Sequence, residues 1–385
     1  MLIYLGLSAI ATFLAALLLL WLGDPSLPAV AHLVFAVGIL PLIFGAITHF
    51  VPVLTRSAGA KQSLLLAPLL LQLTGGLAFL DLSGAAPAGS AIAAASGTLL
   101  IAVFLAGWLV RRARRTLGRP HPGWLWYLAA IVFLCLALLC VPAMSWWPAA
   151  RPEFRLLHLH LNTLGFIGLT ALGTLQVLLP TVLNSPDAQA ASRLQQDLPV
   201  AAGAVLTVAL GAALSPPLSL VGAVMLFHVA LRIAGACVRR HGWRALAADG
   251  AAAALIGALG GFLLLLVLGA GHAFGGLAGR DAVAAFVVAF LLPLLTGALT
   301  QLLPVSMYPG RRTPARDRMH AALRSGGALR GLLFICGGVL LGLGVRDGSW
   351  PAVAGLLSFV VVLLRSLLAA RYASDRRSGV PPAQE

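Results

Sequence analysis

Twelve apolar runs, each close to the length that crosses a bilayer, constrain this chain more than any other feature. They fall near 3–22, 29–55, 62–80, 91–110, 124–144, 156–183, 198–214, 217–238, 250–271, 282–306, 328–345 and 350–370. A membrane-crossing helix needs about 20 apolar residues, because hydrocarbon offers no partner to an unpaired backbone N–H or C=O. The chain is 60% hydrophobic and only 10% charged, a balance foreign to soluble domains. The expectation is an all-α integral membrane protein of about twelve transmembrane helices. The first run has neither a basic leader nor a small-residue cleavage site, so it reads as a span and not a cleaved signal.

A formal net charge of +15 invites a nucleic-acid reading, but the distribution of the charge rejects it. With the N-terminus placed inside, the inner segments hold twenty of the 26 basic residues. Among them are Arg56 and Lys61, Arg111, Arg112, Arg114, Arg115 and Arg119, then Arg239, Arg240 and Arg244. The outer loops hold Arg151, Arg155, Arg280 and Arg346. Basic residues mark the cytoplasmic side, so both termini are expected in the cytoplasm and the protein in a bacterial inner membrane. The cysteines, Cys135, Cys140, Cys237 and Cys336, all lie in spans and read as small apolar residues.

The spans repeat. Residues 45–55, 173–183 and 297–307 end the second, sixth and tenth runs, and each keeps a glycine seven residues before a proline: Gly45 and Pro52, Gly173 and Pro180, Gly297 and Pro304. Val110-Arg111-Arg112 and Val238-Arg239-Arg240 close the fourth and eighth runs in the same way. Three tandem four-helix pseudo-repeats follow: 1–122, 123–248, and 249–385 with a basic cytoplasmic tail. An even number of spans per unit makes the repeats parallel. Thr48, Gln176, Thr300 and Gln301 lie where they would bond backbone freed by the prolines.

The register brings out the histidines. His32 lies 13 residues before Gly45, and His160 lies 13 before Gly173; the third equivalent is Ala284. His158 sits two residues before His160, so at about 100° per residue their rings leave the helix on nearly opposite sides. His228 and Arg232 share a face of the eighth span, and that face is expected to point into the bundle, because a charge in lipid is costly. No Asp or Glu is expected well inside a span. His121, His241 and His320 fall in basic loops and read as solvated; His272 ends the ninth span.

Neutral imidazole is a good ligand for heme iron and for copper. A bis-histidine heme needs two imidazoles at one depth on neighbouring helices, so His32 and His160 are the expected axial pair. His158 is then left for a second centre, with His228 as its partner. Arg232, Asn162 and His49 are the candidates to support such a site or meet a propionate.

The run His158-Leu159-His160 followed by Gly165, Phe166, Gly173 and Pro180 resembles a histidine helix of the NnrS family, and His228 through Arg232 to Gly242 and Trp243 resembles another segment of it. The same frame is similar to a heme-ligating helix of heme–copper oxidase subunit I. A divergent member of that superfamily implies twelve spans, heme b, copper, and a role in electron transfer or nitric oxide stress, with a redox partner protein on the periplasmic side. The chain departs from the oxidases in having no histidine in the tenth span and no adjacent His-His pair. With no carboxylate expected in a span, a proton-pumping terminal oxidase is set aside. A transporter built on tandem repeats without a redox cofactor is the alternative.

Overall fold

A computed structural model describes residues 1–23 and 25–378 of the protein. Among these the fold is all helical, with no strand, and twelve helices are long and apolar enough to cross a membrane. They run Leu2–Leu22, Leu27–Leu54, Leu64–Leu82, Ser90–Arg114, Gly123–Trp146, Pro148–Val182, Ala190–Leu214, Pro216–His241, Gly250–Ala273, Gly279–Met307, Pro314–Gly342 and Arg346–Ala370. Every expected span is met by one of them. The protein is therefore a polytopic membrane protein. The end of the expected basic tail, 379–385, lies outside the described residues.

Contacts divide the chain into two compact units, Met1–Val177 with Asp187–Val229, and Leu178–Pro186 with Ala230–Glu385. In each unit the helices carry broad apolar faces, some buried against neighbours and some exposed, as spans meeting lipid must be.

The second, sixth and tenth spans share an internal geometry. Each begins as an α-helix, widens into π-helical turns, and returns to α. The π segments are Leu33–Ile39, Leu161–Gly168 and Phe286–Leu291. Pro41 and Pro293 stand two residues beyond the first and third of these, after Leu40 and Leu292. Proline has no N–H to give the carbonyl four residues back, so the α ladder breaks there and the turn widens. The sixth span has Leu169 at the matching place. There the glycines Gly165 and Gly168 loosen the turn, and the hydroxyls of Thr163 and Thr170 bond the carbonyls of Leu159 and Phe166 at 2.8 and 2.7 Å.

The glycine of each repeat is a contact point. A Cβ on Gly45 would lie 2.4 Å from the Leu5 Cδ1, one on Gly173 2.6 Å from the Trp126 Cβ, and one on Gly297 2.9 Å from the Leu255 Cγ. In all three repeats, then, the second helix approaches the first through a position with no side chain, as small residues allow in membrane helices.

Two of the three helix ends also match. Ser57 N–H bonds the Pro52 carbonyl at 2.9 Å, and Ser185 N–H bonds the Pro180 carbonyl at 3.0 Å. The residue before each serine, Arg56 or Asn184, takes the left-handed conformation, with φ of 45° and 51°. This is a left-handed helix cap, reached without glycine. An arginine from the fourth helix of each repeat grips the loop that follows. Arg112 donates to the Ser57 hydroxyl and to the carbonyls of Ala58 and Gly59. Arg240 donates to the Pro186 carbonyl at 2.6 Å, and Pro186 is the repeat equivalent of Ala58. The matched arginines of the sequence are thus loop clasps.

The repeat threonines do not tend the proline gaps. The carbonyls freed by Pro52, Pro180 and Pro304 belong to Thr48, Gln176 and Thr300 themselves. Their side chains reach one turn back instead, Thr48 to Gly45, Gln176 to Leu172 and Thr300 to Thr296. A hydroxyl in a helix interior finds that carbonyl first because it is nearest. Gln176 is left with a buried Oε1 that has no hydrogen-bond partner.

Candidate metal centre

His32 and His160 each occupy the last α-helical position before a π segment. Each ring Nδ1 faces the carbonyl four residues earlier, His32 to Pro28 at 2.7 Å and His160 to Leu156 at 2.9 Å. A carbonyl can only accept, so the proton sits on Nδ1 and the lone pair on Nε2. The repeat equivalence of these two residues therefore extends to ring orientation.

The ring that faces His32 is nevertheless that of His158. The two centroids are 6.1 Å apart and the planes differ by 12°. The expectation of His32 opposite His160, with His158 turned away, is corrected here. The 200° between positions 158 and 160 separates their two directions, but says nothing about which direction meets the second span. His158 Nδ1 faces the Ala137 carbonyl of the fifth span at 2.8 Å, which fixes the same tautomer as in His32. Deeper in, Phe44 and Phe166 continue the contact between the two spans, with centroids 6.0 Å apart.

Asn162 sits one turn after His158. Its amide nitrogen donates to the His158 carbonyl at 2.8 Å and lies 3.3 Å from His158 Nε2. The carbonyl contact orients the amide, since an oxygen there would meet an oxygen. The expected supporting residue thus touches the histidine lone pair itself.

Other expected members stand apart from the pair. His228 and Arg232 both lie on the exposed face of Pro216–His241, while Leu226, Val229, Ala230 and Ile233 are buried. Their expected inward orientation is corrected: the broader apolar stripe of that helix takes the interior, and two polar residues four apart must share the other face. His49 is exposed, edge-on to Phe50 at 5.3 Å, and lies roughly 25 Å further along its span than His32. His272 is satisfied locally by the Leu277 carbonyl at 2.7 Å.

Two carboxylates lie in the opening turns of their helices, ahead of the apolar windows 198–214 and 156–183. Asp197 is 2% exposed inside Ala190–Leu214, and Glu153 lies near the start of Pro148–Val182, its Oε2 buried without a hydrogen-bond partner. Both helices begin about two turns before their apolar windows do, and the polar first turns escape a hydropathy scan. The loop histidines are also less solvated than expected: His241 Nε2 and His320 Nδ1 are buried atoms.

Among the described residues no group of three or more His, Cys, Asp or Glu is placed to hold a metal ion. The donor set is two neutral imidazoles. Such a set suits an ion whose remaining positions are filled by another ligand, such as a macrocycle, and it does not complete a tetrahedral protein site. Compared with known protein families, curated proteins and solved structures, the chain matches none.

Proposed function

We propose that this is a heme-binding protein of the bacterial inner membrane, resembling the NnrS proteins, that works in electron transfer or nitric oxide stress. In this reading His32 and His158 would hold one heme b, and both termini are cytoplasmic. The heme would supply one-electron chemistry. The observation that carries the reading is the paired imidazoles, held 6.1 Å apart and near parallel.

This chain's own residues would do three things at such a site. The Pro28 and Ala137 carbonyls hold each ring in the tautomer that leaves Nε2 able to ligate, as the outer partners of ligating histidines do. The fifth span fixes the rotation of His158. Asn162 occupies the His158 lone pair and must swing away before that nitrogen ligates anything. Copper, the other expected ion, is less well supplied, since no third protein donor joins the pair.

The test is a pyridine hemochrome spectrum on detergent-purified protein, with His32→Ala, His158→Ala and His160→Ala beside the wild type. Heme b in the wild type, lost from the first two variants and kept in the third, is the expected result. A heme-free wild type that moves a solute into liposomes would replace this reading with the transporter.

A further inference from the structure

The segment between the tenth and eleventh spans carries a charge pattern that the proposed function does not use. Pro314–Arg324 is a separate short helix, capped by the Thr313 hydroxyl on Arg316 N–H. It ends at a corner, with Gly326 in the left-handed region at φ 68°. Arg330, from the first turn of the next helix, closes the corner by donating to the Leu323 and Ser325 carbonyls, both at 2.7 Å. That arginine is 4% exposed. The corner is therefore a built feature and not a fray in a long span.

The short helix is amphipathic. Met319 and Leu323 are buried against its own bundle. Arg324 turns inward to Asp249 at 3.1 Å. Arg318, turned about 100° from the buried Met319, is exposed, and so is Arg311 in the link just before the helix. One carboxylate lies among them, Asp317, and Arg312 takes it at 2.6 Å. The outward side thus carries guanidinium groups in excess over acid. It is tied by short links to two apolar helices, Gly279–Met307 and Gly327–Gly342, so it lies beside helix ends of the membrane-crossing set.

We infer that this exposed basic segment binds the phosphate headgroups of anionic phospholipids, with Arg311 and Arg318 as the principal contacts. Guanidinium is the side chain best matched to phosphate oxygens, through its fixed fork of N–H donors. The apolar side of the helix is spent on the protein, so the helix adds no insertion of its own. What remains outward is charge, and the layer next to it is made of headgroups. An anionic headgroup attracts a basic residue near the surface, and each arginine strengthens binding by roughly fivefold.

The experiment uses the full-length protein in detergent, titrated with phosphatidylglycerol and, separately, with phosphatidylcholine, with thermal unfolding as the readout. Wild type is expected to be stabilised by phosphatidylglycerol at concentrations where phosphatidylcholine has little effect. Arg311→Gln with Arg318→Gln should need about thirtyfold more phosphatidylglycerol for the same shift. Arg346→Gln, an exposed arginine on another loop, should leave the titration unchanged. Inorganic phosphate at equal concentration should not substitute. Equal response to the two lipids, or an unchanged titration in the double variant, overturns the inference.

Discussion

The second and sixth spans can be set beside the tenth. All three carry the glycine, the proline and the π-helical turns at matched places. Only the first two carry a histidine ahead of those turns; the tenth has Ala284. A widened turn is often a mark of function, but here it recurs where no ligand is present. The π turns thus belong to the repeat, and the histidines are an addition to it. In the tenth span the core near the turn is filled by Phe262, Phe286 and Phe290, with centroids 5.1 and 5.2 Å apart. Phenylalanine rings pack near the turn in the span that lacks the histidine.

The largest expected effect would come from moving the histidine. Ala284→His restores the repeat residue in the tenth span, where Ala282 stands at the place of His158. It should add no heme to the purified protein, whereas His158→Ala should remove all of it. Gain of a second heme with Ala284→His would mean that the repeat frame alone builds the site. His160→Ala tests the other side of the comparison, since this residue matches His32 in register and in its carbonyl bond, yet should be dispensable.

Next comes the shared frame. A Cβ on Gly173 would press on the Trp126 Cβ at 2.6 Å, a rigid part of a fully buried side chain. A Cβ on Gly45 would press on the end of the Leu5 side chain at 2.4 Å, which can rotate away. Gly173→Val should therefore cost more than Gly45→Val, on the order of 1–3 kcal/mol or above for the former. Denaturation midpoints in one detergent would rank them, and a reversed order would show that the fifth span yields more readily than the first.

The spans and the repeat were legible in the sequence because hydropathy and spacing survive any rotation of a helix. So was the matched register of His32 and His160, each the last α-helical residue before a π segment. Which ring faces which was not. It depends on the rotation of the sixth helix about its axis, which the fifth span sets through the Ala137 carbonyl. Beyond a π turn, moreover, the extra residue turns every later position by about 100° from where an α-helix would put it. The outward placing of His228 and Arg232 was missed for a related reason. The cost of a charge in lipid argues for an inward face, but the width of the apolar stripe on that helix decided the matter.

A smaller effect should follow from the arginine clasps. Arg112 makes bonds to three consecutive residues of its loop, and Arg240 one described bond to the matching loop. Arg112→Gln should lower stability by about 1–2 kcal/mol, the scale of charged hydrogen bonds that are partly exposed. An unchanged denaturation midpoint in Arg112→Gln would show that the loop keeps its place without the clasp.

The smallest effect lies at the start of the next helices, where position 121 and its equivalent 249 differ. Asp249 accepts from the amides of Ala251 and Ala252 at 2.9 and 3.0 Å, a strong cap near the positive end of the helix. His121 does the same work more weakly, its Nδ1 accepting from Gly123 N–H at 3.3 Å. Burial holds the His121 pKa below its ordinary value. That bond also needs the neutral ring, because a proton on Nδ1 would remove the acceptor. The unfolded chain takes up this proton more readily, so the contribution is complete at pH above about 6.5 and is lost as pH falls below it. The loss should stay below about 1 kcal/mol, since the ring is half-exposed and screened. His121→Asp should transplant the stronger cap and remove this part of the acid sensitivity between pH 7 and 5. An unchanged pH dependence in the variant would show that another group, and not this cap, responds to acid.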